Sequence, residues 1–398
     1  MNYDILVVGA GPAGLAFATA LASTGWRIAL IDPLREAELQ DPPEDGREIA
    51  LTQQSVRTLQ HLGLWARIAP EHRAPLRRAC IFDGPDPQPL VVDARSCGAN
   101  ELGFLVSNHH IRRAAFAACA SARGGQPAGD FYFEDRVVQA QVEPDVAQLT
   151  LASGRQLQGR LLIAADSRFS PTRRMLGIAA THRDFGRSML VCAMTHERDH
   201  AQSAWEWFDH GQTLALLPMN PDPETGRPRA SVVITLPAAD IEALCHETSE
   251  AFNQAVAARF AHRLGAMQLQ GQRHVYPLVA VWPERIAAPR FACIGDAAVG
   301  MHPVTAHGFN FGLLGVSTLA SRLRRAAAQQ ADPGAFEPLA AYERRHRRDT
   351  RSLYLTTQAI VGLYTDERPA ARTLRRLALR AAAAFPPFQH RIARALTA

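Results

Sequence analysis

Lysine is missing from all 398 residues, so each of the 43 basic side chains is a guanidinium, a group suited to phosphate contacts. Cysteine is sparse and scattered. Cys80, Cys97, Cys119, Cys192, Cys245 and Cys293 form no C-x-x-C pair, which removes the usual spacings of zinc and dithiol redox centres. No metal site is expected. No apolar run approaches the length of a membrane span, and the first residues enter a strand-like run without the charged and apolar segments of a leader. A cytoplasmic protein is expected, with membrane contact no more than peripheral. Repeats, zinc-finger spacings and a basic face interleaved with aromatics are also lacking, and the net charge of +5 is mild, so nucleic-acid binding has no support. With 47% apolar residues the chain can bury a sizeable core, and its length suits two interwoven domains plus a tail.

What is present begins with residues 3–33, YDILVVGAGPAGLAFATALASTGWRIALIDP. An apolar run ends at Gly9, small and apolar residues then follow at helical spacing, and a second apolar run closes at Asp32. The three glycines serve different ends, with a tight turn at Gly9, close approach of backbone to a pyrophosphate at Gly11, and helix-to-strand packing at Gly14. The helix N-terminus then faces phosphates, and the Asp32 carboxylate is suited to accept from ribose hydroxyls. Dinucleotide binding is expected. The unit by itself does not separate FAD from NAD(P).

Two later stretches bear on that choice. FACIGD, residues 291–296, sets Gly295 and Asp296 after an apolar strand and resembles the second FAD fingerprint of the aromatic hydroxylase flavoproteins, whose acid hydrogen-bonds the ribityl chain. LLIAADSRFSPTRR, residues 161–174, resembles their third motif, with Asp166 near the pyrophosphate and the approach of a nicotinamide donor. GREIALTQQSVRTLQHLGLW with Arg47, LGFLVSNHHIRRAAF with Arg112, and LAAYERRHRRD extend the likeness over nearly the whole chain to the ubiquinone-biosynthesis hydroxylases, the UbiH, UbiF and Coq group. Arg47 corresponds to an arginine near flavin and phosphates, and Arg112 stands at the start of a helix where a cofactor-binding Arg or Gln belongs.

The resemblance implies an α/β fold: a Rossmann-like FAD-binding domain interwoven with a mostly antiparallel β-sheet substrate domain and a C-terminal helical segment. It implies an FAD-dependent monooxygenase that hydroxylates the aromatic ring of a prenylated phenol or quinol, as in 5-demethoxyubiquinol hydroxylation, through a flavin C4a-hydroperoxide. O2 and an electron donor, NAD(P)H or another, are the co-substrates. In GDAAVGMHPVTAHGFNFGL, residues 295–313, a helix beginning after Pro303 would aim its N–H groups at the flavin N1/O2 edge, with Ala306, Gly308, Phe309 and Asn310 along the ring. Two departures from the group's pattern stand out. Ser167 replaces a common glycine, which weakens the expectation of NAD(P)H binding relative to FAD. His307 replaces a glutamine, as a hydrogen-bonding substitute or as a titratable group beside the ring. His302 is open between a part in catalysis and structural support. Pro303, His302 and His307 are the catalytic candidates.

The substrate half is less legible. SMLVCAM, SAWEWF, TLALLPM and ASVVITLP alternate between turn-rich pieces, which suggests an antiparallel sheet over the flavin's face, with ETSEAFNQAVAARFAHRLG as a helix across it. Trp205, Trp207, Phe208, Leu216, Pro218 and Thr235 are the candidate pocket positions. The expected division is FAD-binding at 1–78, 106–180 and 277–345, substrate-domain strands at 79–105, the substrate sheet at 181–276, and C-terminal helices at 346–398. In the last of these, Arg372, Arg375, Arg376 and Arg380 share one side of a helical pattern, which suits either anionic lipid at the inner membrane face, partners in a quinone-biosynthesis complex, or plain solvation. The competing functions are a hydroxylase of a soluble phenol, a flavin dehydrogenase or prenyl reductase, and a non-catalytic FAD-binding subunit of the complex.

Overall fold

The structure is a computed structural model that describes residues 2–84, 89–209, 211–301 and 307–365. β1 (Tyr3–Val8) has neighbours on both sides and carries an unbroken apolar run; Gly9 at φ +106° turns the chain into α1 (Pro12–Leu21). β2 (Ile28–Ile31) returns parallel to β1 and closes the βαβ start. α2 (Glu36–Gln40), β3 (Glu48–Thr52), α3 (Gln53–His61), β4 (Ala74–Leu76), β5 (Arg78–Asp83), β6 (Leu90–Asp93), β7 (Gly103–Ser107) and α4 (Asn108–Ala120) follow. β8 (Asp130–Tyr132), the hairpin β9 (Val137–Val142) and β10 (Ala147–Leu151), β11 (Gln156–Ala164) and short α5 (Pro171–Met175) complete the first half.

The second half opens with β12 (Ala180–His196) and continues through β13 (Ser203–Asp209), β14 (Gln212–Met219) and β15 (Arg229–Pro237). After α6 (Ala238–His246) and α7 (Ser249–Arg259), β16 (Met267–Pro283) leads the chain back to β17 (Ala287–Ala288) and β18 (Phe291–Cys293). α8 (Gly308–Ala328) and α9 (Phe336–Thr365) end the described chain.

Three sheets result. In the first, β17-β18-β11-β1-β2-β8 lie in that order with β10 and β9 added at β11; in the second the order is β16-β12-β15-β14-β13-β5-β6; β3-β7-β4 form the third. β18, β11, β1, β2 and β8 are parallel neighbours, whereas the second sheet is antiparallel except where β13 meets β5. The expected α/β architecture with a mostly antiparallel second sheet is therefore what the chain adopts. The anticipated segment borders at 78/79, 105/106, 180/181, 276/277 and 345/346 all fall inside single elements, β5, β7, β12, β16 and α9.

Alternation explains the second sheet. Leu190, Cys192, Met194, Leu214, Leu216, Val232 and Ile234 point to one face, where Ile241 and Leu244 of α6 and Phe252 and Val256 of α7 cover them. Each such side chain contributes roughly 1.5–3 kcal/mol by leaving water. Val191, Ala215 and Val233, between them in sequence, turn to the opposite face and border a cavity. Part of the small-residue stretch at 295–313 is also explained by packing: a Cβ at Gly312 would lie 3.3 Å from Gly295 Cα, and just beyond the stretch one at Gly315 would lie 3.1 Å from the His346 ring.

Candidate functional site

The loop after β1 has two kinds of glycine. A Cβ at Gly14 would lie 2.0 Å from Gly9 O, and Gly9 combines φ +106° with Ala165 O at 2.5 Å from its own missing Cβ. Those two are required by the chain itself. Gly11 is different: its φ of −72° suits any residue, no protein atom lies within 4 Å of a Cβ there, and no side chain caps the helix that it starts. The protein leaves that side of the turn open beside the first turn of α1. Asp32, buried at the end of β2, accepts from Ala10 N at 2.7 Å and from Leu34 N at 2.9 Å, which fixes both the glycine loop and the carboxylate. Arg112 sits one turn into α4, whose N-terminus is Asn108, and among the described residues it has no hydrogen-bond or ion-pair partner. An open glycine, an uncapped helix start, a fixed acid and a free guanidinium fit the pyrophosphate and ribose of a dinucleotide.

The second and third motifs meet the first at the strand ends. Asp166 follows β11, accepts from Ser170 Oγ at 2.6 Å and Thr172 N at 3.0 Å, and so holds the start of α5. Ser167 adopts φ +125°, the region that favours glycine and the physical reason for the glycine usual at this place. Arg168 Nη2 donates to Asp296 Oδ2 at 3.2 Å. Asn310, 6% exposed, accepts from Thr52 N and donates to Ala50 O, so it ties α8 to β3 and has its side-chain amide engaged by protein. His307 is the N-cap residue of α8, with its ring 5.8 Å from Phe311. His302, Pro303 and Ala306 lie outside the described residues, as do Arg372, Arg375, Arg376 and Arg380.

Between the second sheet on one side and β3 with the loops after β11 and β18 on the other lies a cavity of about 250 Å³. Arg47, Asn108, Arg168, Asp296, Gly308 and Phe309 border it from the cofactor-motif side. Asp45 accepts from Arg47 and, at 2.7 Å, from Asn108 Nδ2, while Tyr276 donates to Asp45 O at 2.6 Å. Burial would lift the Asp45 carboxyl, but those hydrogen bonds and the Arg47 charge outweigh it and hold the group below the usual range. Burial likewise works against the Arg47 cation and is outweighed by Asp45. Glu48 also borders the cavity; burial raises it from 4.5 to about 7 against the hydrogen bond from Ser107 Oγ.

The sheet side of the cavity consists of Met189, Val191, Thr213, Ala215, Leu217, Ser231, Val233 and Thr235, with Glu206 among them. Glu206, Ala215, Val233 and Val191 form one row across four strands. Of the expected pocket positions, Thr235 borders this cavity. Trp207 and Leu216 point the other way, into the core under α6 and α7, where Trp207 Nε1 donates to Gly84 O at 2.8 Å; Trp205 packs against the same core. Phe208 is buried and absent from the cavity wall, and Pro218 borders a separate hollow with Arg77, Arg78 and Arg95. The large aromatic residues mask their neighbour: period-two alternation places Glu206 opposite Trp205 and Trp207, and a lone acid inside an apolar strand is the signal that marks it.

A βαβ phosphate turn, two further loops at the ends of the same parallel strands, and a cavity under an antiparallel sheet define a flavin-dependent monooxygenase fold. p-Nitrophenol 4-monooxygenase PnpA from Pseudomonas putida has that fold, with a TM-score of 0.78 at 15% identity over 99% of this chain and 98% of its own. The FAD binding domain family model matches residues 2–353. The chain is 41% identical to ubiquinone hydroxylase UbiM of Neisseria meningitidis over all of its length and 85% of the relative, and 31% identical to ubiquinone hydroxylase UbiL of Rhodospirillum rubrum over 97% and 87%. It belongs to the FAD-binding hydroxylase family that contains these ubiquinone hydroxylases.

Proposed function

We propose that this protein is an FAD-dependent monooxygenase that hydroxylates the aromatic ring of a prenylated phenol or quinol in ubiquinone biosynthesis. One observation carries the reading: the cavity joins the dinucleotide motifs, through Asp296, Gly308 and Phe309, to a sheet face of Met189, Val191, Ala215, Leu217 and Val233. Such a wall suits an apolar ring and keeps out the water that would divert activated oxygen. FAD, when bound, supplies the activation of O2 and the transfer of one oxygen atom.

The chain's own residues do the rest. The first turn of α1 and Arg112 neutralise the pyrophosphate, Asp32 accepts from ribose hydroxyls, and Asp296, positioned by Arg168, receives the ribityl hydroxyls. Gly9 and Gly14 shape the turn, and Gly11 leaves room for phosphate. Asp166 orders the loop after β11, and Arg47, oriented by Asp45, sets positive charge at the cavity rim. Thr235 and the apolar sheet residues orient the ring. NAD(P)H is the electron donor in this reading, and contact with the membrane is peripheral, in keeping with a lipid-soluble substrate; among the described residues no helix is long and apolar enough to cross a membrane.

The test uses the purified FAD-bound protein with a short-chain prenylphenol, NAD(P)H and O2. A product heavier by one oxygen, with matching consumption of donor and O2, supports the reading. Equal or better turnover of small phenols without a prenyl chain points to a soluble-phenol hydroxylase. Flavin binding with no oxygen consumption by any phenol leaves the non-catalytic subunit. Sedimentation with anionic vesicles, comparing the full chain with one ending at Pro369, tests the membrane contact.

A further inference from the structure

Glu206 has no role in the chemistry assigned to the cofactor motifs and, among the described residues, no hydrogen-bond or ion-pair partner. It stands on β13 between Trp205 and Trp207, yet its side chain borders the cavity while theirs meet the core behind the sheet. Among the nine residues that the second sheet gives to the cavity wall it is the only ionisable one. Its row neighbours are Ala215, Val233 and Val191, none of which offers a polar side-chain atom. Among the described residues no hydrogen bond or ion pair reaches its carboxyl. Arg47, Glu48, Arg168 and Asp296 border the same cavity, but burial alone accounts for a carboxyl held well above its ordinary range.

A partly covered carboxyl turned into a largely apolar cavity without a protein partner is a cost that natural folds avoid unless a ligand completes it. Held neutral, a carboxyl offers one O–H donor and one carbonyl acceptor, the pair that a ring hydroxyl satisfies as acceptor and donor. The walls around it accept apolar surface and nothing else along that row. We propose that Glu206 binds the ring hydroxyl of the substrate and thereby fixes which ring carbon faces the cofactor motifs. The assignment rests on the aromatic hydroxylase reading and names the group that would orient the ring within it. It also gives the cavity a selection rule: an uncharged ring with a free hydroxyl is held, and the same ring with that hydroxyl capped is not.

The experiment compares wild type, Glu206→Gln and Glu206→Leu, each with FAD bound, using a short-chain prenylphenol and its O-methyl ether. Equilibrium binding of both ligands is measured by the change in flavin absorbance, and coupling by product formed per O2 consumed. Wild type is expected to prefer the phenol to the ether by roughly five- to tenfold, the size of one buried hydrogen bond. Glu206→Leu should lose that preference and consume O2 with less ring product, while melting at or above the wild-type temperature because an unpaired acid has been removed. Glu206→Gln, which keeps a donor and an acceptor, should retain most of the preference. An unchanged phenol preference in Glu206→Leu, or a Gln variant as unselective as the Leu variant, overturns the assignment while leaving the hydroxylase reading intact. Failure of the wild type to hydroxylate any phenol overturns that reading and this assignment with it.

Discussion

Arg168 Nη2 lies 3.2 Å from Asp296 Oδ2, which joins two dinucleotide motifs separated by 128 positions of sequence. Arg168 also donates to Val279 O on β16 at 3.0 Å, so the loop after β11, the loop after β18 and the strand that links the two sheets meet at the cavity rim. Both side chains are partly exposed, and such a pair contributes on the order of 1 kcal/mol or less. Asp296→Ala is therefore expected to fold normally, with a melting temperature within about 3 °C of wild type, and to lose the flavin absorbance. A variant that purifies yellow, with wild-type flavin content, would remove Asp296 from the cofactor site.

The glycines of the first loop separate a folding requirement from a binding one. Gly14→Ala puts a methyl 2.0 Å from Gly9 O, with backbone that cannot rotate away, and should destabilise by about 2–4 kcal/mol. Gly11→Val meets no protein atom and no forbidden φ. It should match wild type in chemical denaturation of the flavin-free form while failing to take up FAD. Equal flavin affinity in Gly11→Val and wild type would show that the turn's open side is unused.

Much of the candidate cofactor site is legible in the sequence because phosphate turns are local. The spacing Gly9, Gly11, Gly14, Asp32 specifies a strand, a helix start and an acid within one continuous segment, and Asp166 and Asp296 each follow an apolar strand run. The cavity wall is less legible because it depends on which face of each strand turns inward. A shift of one position exchanges Trp207 for Glu206 and Leu216 for Ala215, and composition favours the large apolar residue at either place. Only the cover of α6 and α7 decides it, and that is a long-range contact. The small-residue stretch suggests Asn310 as a ring neighbour, but its hydrogen bonds to Ala50 and Thr52 belong to the packing of α8 on β3.

The two faces of the second sheet should respond differently to substitution. Leu216→Ala empties a fully buried site under α7 and is expected to cost about 2–4 kcal/mol in urea denaturation, with KM for a prenylphenol unchanged. Val233→Phe projects into the cavity instead, and should raise KM at least about tenfold with a smaller effect on stability, since one lost hydrophobic contact set of that size is worth about 1–3 kcal/mol. A reversed pattern, with Leu216→Ala altering KM and Val233→Phe silent, would assign substrate to the opposite face.

Ser167 pays for its position in backbone strain. At φ +125° a residue with a Cβ is held in a region natural to glycine, at a cost on the order of 1–3 kcal/mol. Ser167→Gly relieves that strain and is expected to stabilise the protein by about 1 kcal/mol after the greater freedom of glycine in the unfolded chain is subtracted. Denaturant midpoints with an unchanged m-value give the measurement. Destabilisation by the glycine would show that the serine side chain makes a compensating contact.

Glu48 gives the fold a pH dependence whose sign is fixed. Folding lifts its carboxyl from 4.5 to about 7, because burial outweighs the hydrogen bond from Ser107 and the charge of Arg229. The native protein therefore holds this proton more tightly than the unfolded chain does. The resulting stability is fully present below about pH 4.5 and is lost as pH rises through 7, with an upper bound of about 3 kcal/mol. Glu48→Gln keeps the acceptor for Ser107 and cannot ionise. Relative to wild type the variant should gain about 1–3 kcal/mol when urea denaturation at about pH 8 is compared with about pH 4.5. A difference that stays constant across that window would mean that Glu48 titrates in the folded protein as it does in the unfolded chain, and that the cavity rim is wetter than its geometry indicates.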